Sequence, residues 1–391
     1  MNLYQEDIQT LIKQNHQSAM SIIRHFRLSA LVLLILLFSL NSCKLGRFIV
    51  YNFADIKDYK KFPSRPLHKE GPTFTFYQTD KGKFPKATST KNQKEVSFDD
   101  FLENTKTAAF LIIRHDTIQY EKYFKGYDQE SIVPSFSMAK SVTSILIGCA
   151  IDDGLIKSVD ESVCNYIPEL KKNGFEKVTL KHILQMTSGI DFNESYFNPF
   201  GEAASYYYGL NLRKEIRKLK LKNEPGKEFD YVSGNTQLLG LVLERALKNK
   251  TVTAYLQEKI WGPLGMEYDA SWSIDSKKSG LEKTFCCLNA RARDFAKIGR
   301  LYKNKGNWNG KQVVSQKWVE ESTKNDLSEG SVPYYQYQWW IPTPGVDFMA
   351  EGILGQFIYV NPSKDLVIVR LGKKEGGADW WNIFTSLADK Y

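Results

Sequence analysis

Apolar and polar positions follow two different rhythms along this chain. Near the beginning and the end, apolar runs of strand length sit between turn signals. Ala108, Ala109, Phe110, Leu111, Ile112 and Ile113 form one such run, which turns at Arg114-His115-Asp116-Thr117 and resumes at Ile118. The pattern predicts a hairpin over Ala108 to Phe124. A second hairpin is predicted from Phe357-Ile358-Tyr359-Val360, the turn Asn361-Pro362-Ser363-Lys364-Asp365, and Leu366 to Leu371. Trp380 to Ala388 then reads as a closing helix.

Between these ends the period is helical. Ile145, Leu146, Ile147, Cys149, Ala150 and Ile151 follow a turn at Pro134-Ser135-Phe136. Thr179 is a start signal for a helix through Leu184, and Met186-Thr187-Ser188-Gly189 ends it. Thr236 to Leu247 and Leu288 to Lys303 read as further helices. Strands at both ends with helices between them predict an α+β fold: an antiparallel β-sheet flanked by helices, with an inserted all-helical lobe over about residues 152–285.

The first residues carry a processing signal. Leu28 to Leu40 is apolar apart from Ser29 and Ser39, follows Arg24 and Arg27, and ends in Leu40-Asn41-Ser42-Cys43. That is short for a membrane span and fits a signal-peptide core. The ending resembles a bacterial lipobox, which makes Cys43 the expected lipidation site. Residues 1–42 are then a signal peptide with a start at Met20, and 43–70 a tether to a domain at 71–391. An uncleaved membrane anchor is the alternative. Either way the protein is expected outside the cytoplasm, held to the cell envelope.

Composition adds little. The chain has 391 residues, 42% hydrophobic and 25% charged, which is ordinary for a globular protein. The net charge of +9 is dispersed, except for Arg213, Lys214, Arg217, Lys218, Lys220 and Lys222, which read as a solvated face. No nucleic-acid motif accompanies them. No Cys/His spacing marks a metal site, no cofactor is expected, and a bridge between the neighbours Cys286 and Cys287 would be rare.

The candidate chemistry lies at the mouth of the apolar helix. Ser137 and Lys140 are one turn apart, so hydroxyl and amine share a face. Ser137 also sits where the first backbone N–H groups of a helix are unpaired, which favours negative charge. No other Ser-x-x-Lys occurs in the chain. A helix start with a solvated lysine is the plainer reading of this stretch alone.

Two more motifs change that balance. Tyr231-Val232-Ser233-Gly234-Asn235 precedes an apolar helix, and Ala350-Glu351-Gly352-Ile353-Leu354-Gly355 precedes the last hairpin. With Ser137-Met138-Ala139-Lys140, this ordered set resembles the serine β-lactamase and penicillin-binding-protein family. Within it the chain is most like the class C-like serine hydrolases that include carboxylesterases and 6-aminohexanoate-dimer hydrolases. The resemblance spans about residues 70–390. It implies Ser137 as nucleophile, with Lys140 and Tyr231 sharing the roles of base and proton donor. It implies an oxyanion hole from the N–H groups of Ser137 and Ile353, and substrate contacts at Tyr196, Ser233, Asn235 and Gly352. The substrate would be a small or peptide-like ester or amide. Where antibiotic-binding relatives carry a cation in the third motif, this chain has Ala350 and Glu351. That departure disfavours substrates recognised through a carboxylate, though a penicillin-binding peptidase or β-lactamase remains the rival within the family. A ligand-binding domain without catalysis is the rival outside it.

Overall fold

The computed structural model describes residues 20, 22–32, 44–51, 53–85, 87–89 and 95–391. Cys43 and the apolar residues of 33–40 lie outside them, so the expected lipidation site is not described. Among the described residues no helix is long and apolar enough to cross a membrane. The chain divides into a unit ending at Phe53, which includes the helix Lys44–Tyr51, and a unit from Ala54 to Tyr391.

The second unit is built on an eight-stranded sheet. Its central strands are the two predicted hairpins, Thr107–Arg114 with Thr117–Tyr123 and Gln356–Asn361 with Leu366–Gly372. They meet where Leu366–Gly372 pairs antiparallel with Thr107–Arg114, so strands from the two ends of the unit close one sheet. His115 and Asp116 both adopt positive φ, the backbone that tight two-residue hairpin turns require. The side-chain period of two sorts the faces. Phe110, Ile112, Phe357, Tyr359 and Ile368 pack under the closing helix Trp380–Ala388. Leu111, Ile113, Ile358, Val367 and Val369 pack on the other side with Met138, Val142, Phe295 and Ile298. The α+β expectation therefore holds.

Several details are corrected. The lobe over residues 152–285 is not all-helical: Ile190–Asp191 pairs with Lys220–Leu221, and Ala270–Ser273 is a strand. That strand joins Ser64–Leu67, Leu288–Ala290 and Val133–Pro134 in a second sheet. Such short strands are held by backbone bonds to distant partners and leave no periodic signal. For the same reason the helix predicted from Leu288 begins at Ala292. The predicted tether also ends early, because Ile56 and Asp58 are buried and Ser64–Leu67 is paired. Finally, Cys286 and Cys287 are bridged to each other, while Cys149 and Cys164 are free and buried. The basic run at 213–222 is largely neutralised by pairs such as Arg213 with Glu244 and Lys218 with Glu215.

Candidate active site

The second sheet places Ser137. Val133–Pro134 pairs with Leu288–Ala290, and the Ser135 hydroxyl accepts from the Leu288 N–H at 3.1 Å. Phe136 is buried with φ +44, a backbone that bulky residues rarely adopt and that turns the chain sharply. The helix Met138–Asp152 follows, with Ser137 at its N-cap and half-buried. Its interior is buried on every side, as expected of a helix packed between a sheet and other helices. Lys140 is the charged exception on this helix's first turn. It is 1% exposed, and its Nζ lies 2.9 Å from Ser137 Oγ, 3.1 Å from Ser233 Oγ and 3.2 Å from the carbonyl oxygen of Phe285. Burial lowers the Lys140 pKa to about 8, and the charge of Glu194 works in the opposite direction.

Tyr231 and Ser233 arrive at the start of the helix Ser233–Leu247. The Lys140 Nζ lies 5.0 Å from the Tyr231 ring centroid. Burial pushes the Tyr231 phenol well above its ordinary range, and its hydrogen bond with Ser137 offsets only part of that rise. Trp340 and Tyr335 pack against the ring at centroid distances of 5.3 and 5.8 Å. Trp340 thus walls the site, whereas Trp339 is core and stacks on Tyr302.

The strand Phe348–Gly352 closes the other side. A Cβ on Gly352 would lie 2.5 Å from the Ser135 carbonyl oxygen and 3.0 Å from the Ser137 nitrogen, so only glycine permits this approach. Ile353 follows at the hairpin turn. The buried Arg370 braces that turn from behind, donating to the Gly355 carbonyl at 2.6 Å and to the Thr105 carbonyl at 2.8 Å. Glu351 is half-buried and accepts from Trp381 Nε1 at 2.9 Å; burial raises its pKa.

Ser137, Lys140, Tyr231, Ser233 and Gly352 are therefore brought together. Tyr196 stands beside them, its hydroxyl donating to Glu194 at 2.8 Å. Asn235 is not part of the cluster. It is fully buried, accepting from the Ser188 hydroxyl and donating to the Met186 sulfur, so its side chain has a packing role and the expected substrate contact is corrected. Three groups around the cluster carry no role in the sequence reading. Glu194 lies in a segment already singled out through Tyr196, and a carboxylate two residues from a pocket tyrosine was the available signal. The Phe285 carbonyl is backbone and carries no side-chain signal. Arg370 read only as a strand residue. Among the described residues no three His, Cys, Asp or Glu side chains converge to hold a metal ion.

The chain has counterparts among known proteins. The family model for beta-lactamase matches residues 97–381. The 6-aminohexanoate-dimer hydrolase of Paenarthrobacter ureafaciens is 30% identical over 295 residues, covering 69% of this chain and 73% of that protein. A solved structure from Bacillus anthracis, described as a 6-aminohexanoate-dimer hydrolase, superposes with a TM-score of 0.75 at 23% identity, covering 88% of this chain and 94% of the other. A family VIII carboxylesterase superposes with a TM-score of 0.57 at 16% identity, covering 71% and 89%. The chain belongs to the beta-lactamase family.

Proposed function

We propose that the protein is a serine hydrolase that cleaves an ester or amide through an acyl-enzyme at Ser137. The observation that carries this is the Lys140 amine, buried, low in pKa and 2.9 Å from the Ser137 hydroxyl. A serine hydroxyl becomes a competent nucleophile when a neighbouring base takes its proton.

Lys140 and Tyr231 divide the proton chemistry because their environments push them apart. At a pKa of about 8, Lys140 has a neutral fraction near neutral pH; Tyr231 stays protonated there. Lys140 is the base in acylation: the Ser137 proton moves to its Nζ as Oγ bonds to the carbonyl carbon. The tetrahedral oxygen takes N–H bonds from Ser137 and Ile353. Tyr231 gives its proton to the departing alcohol or amine and is reprotonated from Lys140. Water then attacks the acyl-enzyme, loses a proton to the same pair, and Ser137 leaves with one.

The substrate is an ester or amide without a carboxylate beside the scissile bond. Ala350 and Glu351 support this, since a carboxylate near Glu351 meets a like charge instead of a cation. One relative is a hydrolase of a 6-aminohexanoate dimer and one structural neighbour is a carboxylesterase, so amides and esters both fit this reading. The leader sequence supports export and attachment to the cell envelope through Cys43. Labelling of Ser137 by a fluorophosphonate tests the chemistry.

A further inference from the structure

We propose that Glu194 is a positioning residue that aims the Lys140 lone pair at Ser137, acting through the hydroxyl of Ser233. This rests on the Ser137 acyl-enzyme reading above.

The hydrogens around the amine can be counted. Lys140 Nζ has three polar neighbours: Ser137 Oγ, Ser233 Oγ and the Phe285 carbonyl oxygen. A neutral amine has two hydrogens and one lone pair, so one neighbour must face the lone pair. The Phe285 carbonyl only accepts. Ser233 has a single hydroxyl hydrogen, and Glu194 Oε1 lies 2.6 Å from its Oγ. A carboxylate only accepts, and bonds to it are among the stronger ones, so that hydrogen goes to Glu194. Ser233 Oγ then also accepts from Lys140. Both amine hydrogens are committed, and the remaining direction is toward Ser137.

Glu194 is itself held for this task. Its Oε2 accepts from the Ser233 N–H at 2.7 Å, at the positive end of the helix Ser233–Leu247. That helix has no side-chain cap from its own N-cap residue, Val232. The loop carrying Glu194 is fixed by the Asn193 side chain, which accepts from the Ser195 N–H at 2.9 Å, and by Glu202, which accepts from the Asn193 N–H at 3.1 Å. Without Glu194, the Ser233 hydroxyl is free to donate to Lys140 and occupy the lone pair that Ser137 needs.

The charge of Glu194 gives a second, separable effect, since it favours protonated Lys140. Orientation therefore sets the rate at high pH, and charge sets the pH at which the rate falls. The experiment measures fluorophosphonate labelling rates against pH for the wild type, Glu194→Ala, Glu194→Gln, Ser233→Ala and Glu194→Ala/Ser233→Ala. Glu194→Ala lowers the high-pH plateau about tenfold or more, part of the roughly 10²–10⁴ that a general base supplies, and moves the acid limb to lower pH. Glu194→Gln keeps an acceptor for the Ser233 hydroxyl, so it recovers plateau rate over Glu194→Ala while its acid limb stays displaced. In the double variant the plateau equals that of Ser233→Ala. A wild-type plateau in Glu194→Ala, no recovery in Glu194→Gln, or a double variant slower than Ser233→Ala overturns the proposal. If the wild type shows no Ser137-dependent labelling, the hydrolase reading falls and this one with it; if the wild type labels and Glu194→Ala matches it, only this one falls.

Discussion

Lys140 and Tyr231 face each other across 5.0 Å, amine to ring centroid, and burial drives their protons in opposite directions. The lysine is made easier to deprotonate and the tyrosine harder. One environment thus favours a neutral amine and a protonated phenol beside a single serine.

The first consequence is a pH profile. In the proposed mechanism the active form holds Lys140 neutral, and its pKa is lowered to about 8, so kcat/KM rises with pH and half its gain is reached near that value. Tyr231, whose pKa is raised, stays protonated past the ordinary phenol range, so the alkaline limb falls late. Hydrolysis of a neutral chromogenic ester across this range checks both limbs. A rate that declines as pH rises through about 8 removes Lys140 as the base.

Gly352→Ala places a methyl against the Ser135 carbonyl and the Ser137 nitrogen, both backbone. Neither is the end of a flexible side chain, so the strand must retreat from the helix and the proposed second oxyanion donor moves with it. Losing one such donor costs about 2.7–4 kcal/mol of barrier, or roughly 10²–10³ in kcat. Steady-state kinetics on the purified variant, with a melting curve as control, reads this out; a folded variant with wild-type kcat excludes the strand from the oxyanion hole.

In the proposed reading, Glu351 sets the charge preference. A neutral short ester is turned over faster than its analogue bearing a carboxylate on the acyl side, and Glu351→Gln narrows the ratio of their kcat/KM values. Equal turnover of the two esters by the wild type, or an unchanged ratio in the variant, removes Glu351 from substrate selection.

Cys43 is where the proposed attachment is tested. Detergent-phase partitioning of the full chain is lost in Cys43→Ser if lipid holds the protein, since acyl chains contribute about 0.8 kcal/mol per buried CH₂. Partitioning that survives the substitution assigns the anchor to an uncleaved helix.

The central sheet and the helix that carries Ser137 were legible in the sequence for one physical reason. Strong periodicity and glycine, proline or serine punctuation are local, and they mark both hairpins and the Ser137 helix. What stayed hidden depends on pairing across the chain. Ala270–Ser273 and Leu288–Ala290 are strands because of each other, and their own residues do not say so. Asn235 looked like part of a binding motif, yet its neighbours Ser188 and Met186, remote in sequence, absorb its polar groups. Glu194 was visible as a residue but not as a partner, because its meaning lies in the 2.6 Å to Ser233, on another element.

The covalent step at Ser137 is tested most directly by mass spectrometry of the fluorophosphonate-treated protein. One adduct per chain is expected, located on the peptide containing Ser137 and absent from a folded Ser137→Ala variant. Equal labelling of the two proteins, or no adduct on a folded wild type, contradicts the acyl-enzyme.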